Sequence, residues 1–117
     1  MTEPLALVFY EKLMPGSQLV NKLQDFNYRV QAVNDPALLQ SGALRESPLL
    51  VVADLAGGDK VCSAIAGLKA DAATSHIPVI AFVAEGAVQA MEAAQKAGAK
   101  LVVSEIAIAN HLAKLLN

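Results

Sequence analysis

The chain has no tryptophan, one cysteine and few aromatics, with 4% Phe, Trp and Tyr together. A lone Cys62 excludes an internal disulfide and any zinc site built from clustered cysteines. Charge is also sparse: 17% of residues are Asp, Glu, Lys or Arg, and the formal net charge is −2. That balance leaves no basic patch for nucleic acid. No apolar run approaches the ~20 residues that a bilayer-spanning helix needs. The N-terminus lacks a basic segment followed by an apolar stretch, so no signal peptide is expected and the expected location is cytoplasmic. Low-complexity tracts and internal repeats at solenoid periods are missing as well.

What remains is an apolar chain of 117 residues, 55% hydrophobic with mean hydropathy +0.43. That length suits one domain, 1–117, able to bury about two-thirds of its unfolded surface. The apolar residues come in short blocks between turn signals. Leu5–Tyr10 is continuously apolar, as in a strand covered on both faces. Leu19, Val20, Leu23 and Phe26 then recur at helical spacing, with Ser17 as a cap before them and Asn27 as a stop.

Tyr28–Val33 alternates apolar and polar residues, which predicts a less covered strand at a sheet edge. Asp35-Pro36 reads as a capped helix start, and that helix ends before Ser47-Pro48. Leu49–Ala53 is the third strand, apolar throughout and therefore central. Asp59 caps a helix bearing Val61, Ile65 and Leu68 on one face. Pro78 opens a fourth strand, Val79–Val83, at the position where a missing N–H does least harm. An Ala-rich helix over Gly86–Ala97 closes on Gly98, and Leu101–Val103 is a short fifth strand. Ile108, Leu112 and Leu115 mark a last helix, capped by Ser104.

Strands alternating with helices of this length predict an α/β fold: one open five-stranded parallel sheet with helices on both faces. The alternating second strand belongs at the edge, which favours the flavodoxin-like order 2-1-3-4-5. In such a sheet the third strand, Leu49-Leu-Val-Val-Ala-Asp54-Leu55, delivers one carboxylate to the C-terminal end, where open α/β sheets place their chemistry.

With LLVVADL on the third strand, IPVIAFVAE on the fourth and Ala97-Gly98-Ala99 before the fifth, the chain resembles a receiver domain of two-component signalling over nearly its whole length. The resemblance puts Asp54 at the phosphoacceptor position. It implies that Asp54 would attack a phosphoryl group while Mg²⁺ neutralises charge, held by one or two carboxylates. Receivers carry an acidic pair after the first strand, and here Tyr10 and Glu11 fall on those two positions. Tyr10 is no carboxylate. Glu11 is either a metal-ligating partner of Asp54 or a solvated loop glutamate.

Three further positions depart from the pattern. Val83 replaces the Ser or Thr that ends the fourth strand, keeping the shape and losing the hydroxyl. Glu105 stands seven residues after Gly98, where the resemblance expects lysine, and Ile106 replaces the proline after it. A shift of one residue would put the neutral Ser104 there instead. Attraction of a phosphoryl group would then become repulsion or nothing, on a scale of ~4 kcal/mol for unit charges ~4 Å apart at an effective dielectric of 20. After Asp54 the loop is about one residue short, with Gly57-Gly58 reading as a turn or as a close approach to a ligand.

The resemblance therefore implies a degenerate receiver of a phosphorelay, not an enzyme, acting by contact with a signalling protein or histidine kinase. It requires no cofactor and binds Mg²⁺ weakly at most, through Asp54 and Glu11. The alternative is an atypical but live phosphoacceptor at Asp54. A flavodoxin-type small-molecule binder ranks last, because the segment from Glu11 to Ser17 offers a single hydroxyl for phosphate. Ala87, Ala90, Ala94 and Ala109 suggest a low-relief surface for a homodimer through the last two helices, although Ala is also simply the best helix former. His76, His111 and Cys62 read as surface or packing residues.

Overall fold

In the computed structural model, residues 4–10, 20–33, 35, 37–55, 59–84, 86–104, 107–108, 110–111 and 114 are described. Five strands, β1 (Leu5–Phe9), β2 (Arg29–Val33), β3 (Leu50–Asp54), β4 (Val79–Val83) and β5 (Leu101–Ser104), form one sheet in the order β2-β1-β3-β4-β5. Every neighbouring pair is parallel. The helical residues 20–25 (α1) follow β1 in sequence. Three more helices, α2 (Ala37–Glu46), α3 (Asp59–Ala70) and α4 (Val88–Ala97), alternate with the later strands.

All five residues of β1, of β3 and of β4 are buried. This follows from their apolar runs: with helices on both faces, both sides of these strands are apolar apart from Asp54 at the end of β3. Leu7, Phe9, Val51, Ala53, Val79, Ala81 and Val83 face one core, shared with Leu39 of α2, Ile65 and Leu68 of α3 and Ala94 of α4. The alternate residues Ala6, Val8, Leu50, Val52, Ile80 and Phe82 face a second core with Leu23 of α1 and Ile108. Only β2 mixes exposed and half-buried positions, as an edge strand should.

Chain reversals follow the residues that tolerate them. Asn27 adopts φ 66° after α1 and Ser47 adopts φ 48° after α2. The Asp35 carboxylate accepts a hydrogen bond from the Ala37 N–H at 3.0 Å, capping α2. Gly98 ends α4 at φ 112°, and its N–H donates to the carbonyls of Ala94 and Gln95. Beyond α3, Thr74 is fully buried and its hydroxyl donates to the Leu68 carbonyl at 2.7 Å. Lys69 Nζ reaches forward to the Ile77 carbonyl at 2.8 Å, tying the helix end to the start of β4.

Six boundaries differ from expectation: β1 ends at Phe9, before Tyr10, and β2 begins at Arg29, after Tyr28. Leu49 is 56% exposed and lies outside β3, so the strand begins at Leu50 and includes Asp54 itself. Asp59 is the first residue of α3 and lies inside its first turn. Gly86 has φ +82° and α4 starts at Val88, because a left-handed turn cannot continue into the helix. β5 extends one residue further than its apolar run, to Ser104.

The alanine surface also needs correction. Ala94 is fully buried, and Ala87 and Ala90 pack against the same core, so the small side chains let α4 approach the sheet. Val88, Gln89, Glu92, Gln95 and Lys96 face solvent instead. Ser17, Pro36, Ala109, Leu112 and Leu115 lie outside the described residues.

Candidate functional site

Strand order reverses between β1 and β3, whose outer neighbours are β2 and β4. In open α/β sheets a crevice forms at the carboxyl end of the strands at such a switch point. Tyr10 follows β1 there and Asp54 ends β3. Parallel register sets Phe9 beside Ala53, Ala53 beside Ala81, and Ala81 beside Val102. One step further, Asp54 is paired with Phe82, and Phe82 with Val103. The last rung pairs Val83 with Ser104.

Asp54 is 2% exposed, at the end of an otherwise apolar strand, and its side chain or backbone is engaged in interactions there. Burial of a carboxylate is tolerated only when its oxygens are satisfied, and no buried side-chain oxygen or nitrogen is left unpaired among the described residues. Its β4 neighbour Phe82 is fully buried, which makes one flank of the carboxylate aromatic and apolar. Tyr10 is half-buried and packs against the core that holds Val52, Phe82 and Val103. The phenol thus serves packing at a position where the resemblance expects a charge.

Val83 is 2% exposed and belongs to the core under α2, α3 and α4. A hydroxyl there would enter an apolar environment. Ser104 is half-buried, and its Oγ accepts a hydrogen bond from the Ala107 N–H at 3.2 Å, capping the C-terminal helical segment as expected. Glu11, Glu105, Ile106 and the Gly57-Gly58 pair lie outside the described residues.

The crevice has neighbours that the sequence pattern did not single out. Leu55 is buried directly after Asp54 and lines a cavity of about 170 Å³ with Asp59, Cys62, Gln89, Ala90 and Ala93, between α3 and α4. Cys62 is half-buried there, and burial raises its thiol pKa, with the nearby Asp59 charge adding to the effect. His76 lies far from this end: it lines a cavity with Pro4, Arg29, Leu49 and Pro78. Lys100 is likewise remote, and its N–H donates to the Val79 carbonyl at the start of β4. Among the described residues, no three His, Cys, Asp or Glu side chains converge to hold a metal.

Strand order, parallel register and helices on both faces define a flavodoxin-like fold of the receiver type, and its structural neighbours are response-regulator receiver domains. The receiver domain of a sensor histidine kinase from Pseudomonas aeruginosa, crystallised with magnesium in its active-site cleft, superposes with TM-score 0.86 at 19% identity, covering 97% of this chain and 94% of that one. The Vibrio cholerae chemotaxis protein CheY4 gives TM-score 0.82 at 14% identity, covering 97% and 96%. A response regulator from Burkholderia multivorans gives 0.74 at 20% identity, covering 98% and 96%. No family model and no curated protein matches the sequence.

Proposed function

We propose that this chain is a receiver-type module of two-component signalling that works through protein–protein contact without ordinary phosphorylation of Asp54, and that it is not an enzyme. The pairing of Val83 with Ser104 at the ends of β4 and β5 carries this reading. Receivers resembling this chain place a hydroxyl and an ammonium at those strand ends to hold the phosphoryl group. Here one residue has no polar atom, and the other has a neutral hydroxyl already accepting a helix-capping bond. With Asp54 nearly inaccessible, a phosphodonor meets a hidden carboxylate and no cation from β5.

Mg²⁺ would neutralise charge on a phosphoryl group at such a site. Asp54 supplies one carboxylate and Tyr10 a neutral phenol, so the remaining protein ligand would have to be Glu11. Mg²⁺ is usually held by one or two carboxylates with phosphate oxygens and waters, and with a neutral phenol at Tyr10 the site would carry less negative charge and bind it weakly. The partner would be a signalling protein or a histidine kinase, met by the outward side of α4, where Val88 is 61% exposed beside Gln89 and Glu92. Incubation with acetyl phosphate and Mg²⁺, followed by intact-mass measurement, tests the proposal. No adduct is expected. A stoichiometric phosphoryl adduct lost in Asp54→Asn would establish the live-phosphoacceptor reading instead.

A further inference from the structure

At the end of the sheet opposite Asp54, three apolar residues belong to the second core: Leu50 opens β3, Ile80 lies in β4, and its register partner Leu101 opens β5. Together they line a cavity of about 350 Å³. Leu49 and Pro78 line it as well, and Leu49 leaves 56% of its surface in solvent. Tyr28 and Lys100 bring the polar groups. Both backbones are fixed: the Tyr28 N–H donates to the Leu23 carbonyl at 3.0 Å, and the Lys100 N–H donates to the Val79 carbonyl at 2.8 Å.

The charge of this cavity has one sign. Among the described residues that line it, Lys100 alone is charged, and none is a carboxylate. Lys100 is exposed and Tyr28 half-buried, and neither side chain makes a hydrogen bond or ion pair among the described residues. Other cavities mix signs: the one beside His76 carries Glu46 with Arg29, and the one between α2 and α3 carries Asp35 and Asp59 with Lys60. Small-molecule sites are concave, mainly apolar, and oriented by a few polar groups. The cavity between Tyr28 and Lys100 has that form.

We propose that this cavity binds a small amphipathic monocarboxylate, its apolar body against Leu50, Ile80 and Leu101 and its carboxylate toward Lys100. Charge complementarity selects the headgroup. One ammonium balances one negative charge, whereas a doubly charged phosphate would leave a charge uncompensated beside apolar walls. A carboxylate also has two acceptor oxygens, and the Lys100 ammonium and the Tyr28 phenol can each donate to one. The long lysine stem lies along apolar surface while its head stays in water, so the cation can meet the ligand at the mouth without being buried itself. This site is at the amino ends of the strands, away from Asp54 at the carboxyl end of β3, and its occupation requires no phosphorylation.

Titration of the full chain with monomeric decanoate, followed by amide NMR, tests this. Saturable shifts should cluster at Leu50, Ile80 and Leu101 and leave Asp54 unmoved. Decyltrimethylammonium, with the same chain and the opposite charge, should bind more weakly than decanoate. Lys100→Gln should weaken decanoate about two- to fivefold, the worth of an exposed ion pair, and should abolish the preference for the anion. Tyr28→Phe keeps the ring and should weaken decanoate as well, whereas Lys96→Gln on α4 should change nothing. Leu49→Ser, at an exposed position, should weaken both ligands alike. Shifts that do not saturate or that spread over the surface would overturn the proposal. So would a wild type that binds the two ligands equally, a comparison that needs no variant, or a Lys100→Gln protein that still prefers decanoate. Binding to anionic vesicles with none to monomeric decanoate would overturn it too.

Discussion

Val83 and Ser104 are register partners at the carboxyl ends of β4 and β5, one rung beyond the level of Asp54. Neither residue offers charge, and only one offers a hydroxyl. Val83 is 2% exposed among apolar neighbours, so its isosteric replacement by threonine is a direct test of that environment. Burying a hydroxyl without a partner costs about 1–3 kcal/mol. Val83→Thr should therefore lower urea-denaturation stability by about that amount, and it should not by itself yield a phosphoryl adduct. A variant as stable as wild type would mean that the hydroxyl finds a partner, and hence that the strand end is more polar than its packing indicates.

Asp54 is buried with its interactions made inside the protein. Asp54→Ala removes a carboxylate that is 2% exposed at the strand end, and loss of a buried, satisfied polar group of this kind should destabilise by about 1–3 kcal/mol. Asp54→Asn keeps one carbonyl oxygen in place and should lose less. If contact is the function, both folded variants should retain partner binding within a few-fold by titration calorimetry. Loss of binding in Asp54→Asn at unchanged stability would make the charge itself part of the recognition.

Strand order was legible because burial on two faces demands continuous apolar runs, and only Tyr28–Val33 broke that rule. Asn27, Gly98 and the Asp35 cap were legible for local reasons: each is the residue type that its backbone conformation or free N–H selects. The alanines of α4 misled, because small size serves close packing on a sheet as well as contact with a partner. Periodicity alone does not say which side of the helix is inward. At the site, residue types could be read at each strand end, but register could not. That Ser104 pairs with Val83, and Phe82 with Asp54, follows from how far β5 and β4 slide along the sheet, which no local pattern encodes.

Cys62 provides a pH-dependent test. Burial first, and the Asp59 charge second, raise its thiol pKa. A raised folded-state pKa means that the stabilisation is fully present below the unfolded thiol's pKa and is lost as pH rises through the folded one. Stability should thus fall on the alkaline side in wild type, and fall less in Cys62→Ser. Alkylation by iodoacetamide, which needs the thiolate, should be slow at neutral pH, and Asp59→Asn should accelerate it. An alkylation rate at pH 7 equal to that of a free cysteine peptide would contradict this account.

Gly98 and Gly86 separate two reasons for a glycine. Both have positive φ, +112° and +82°. A Cβ at Gly86 meets nothing within 4 Å, so Gly86→Ala carries the backbone term alone, about 1–2 kcal/mol. At Gly98 the same Cβ would lie 2.7 Å from Cγ of Lys69, whose Nζ holds the Ile77 carbonyl at 2.8 Å. Relieving the clash pulls Lys69 from that bond and loosens the joint between α3 and β4. Gly98→Ala should therefore destabilise more than Gly86→Ala in denaturant titration, and Lys69→Ala should remove most of the difference when combined with it. Equal losses at the two glycines, with or without Lys69, would show that the strap over Gly98 yields freely and that the left-handed backbone is the whole of its requirement.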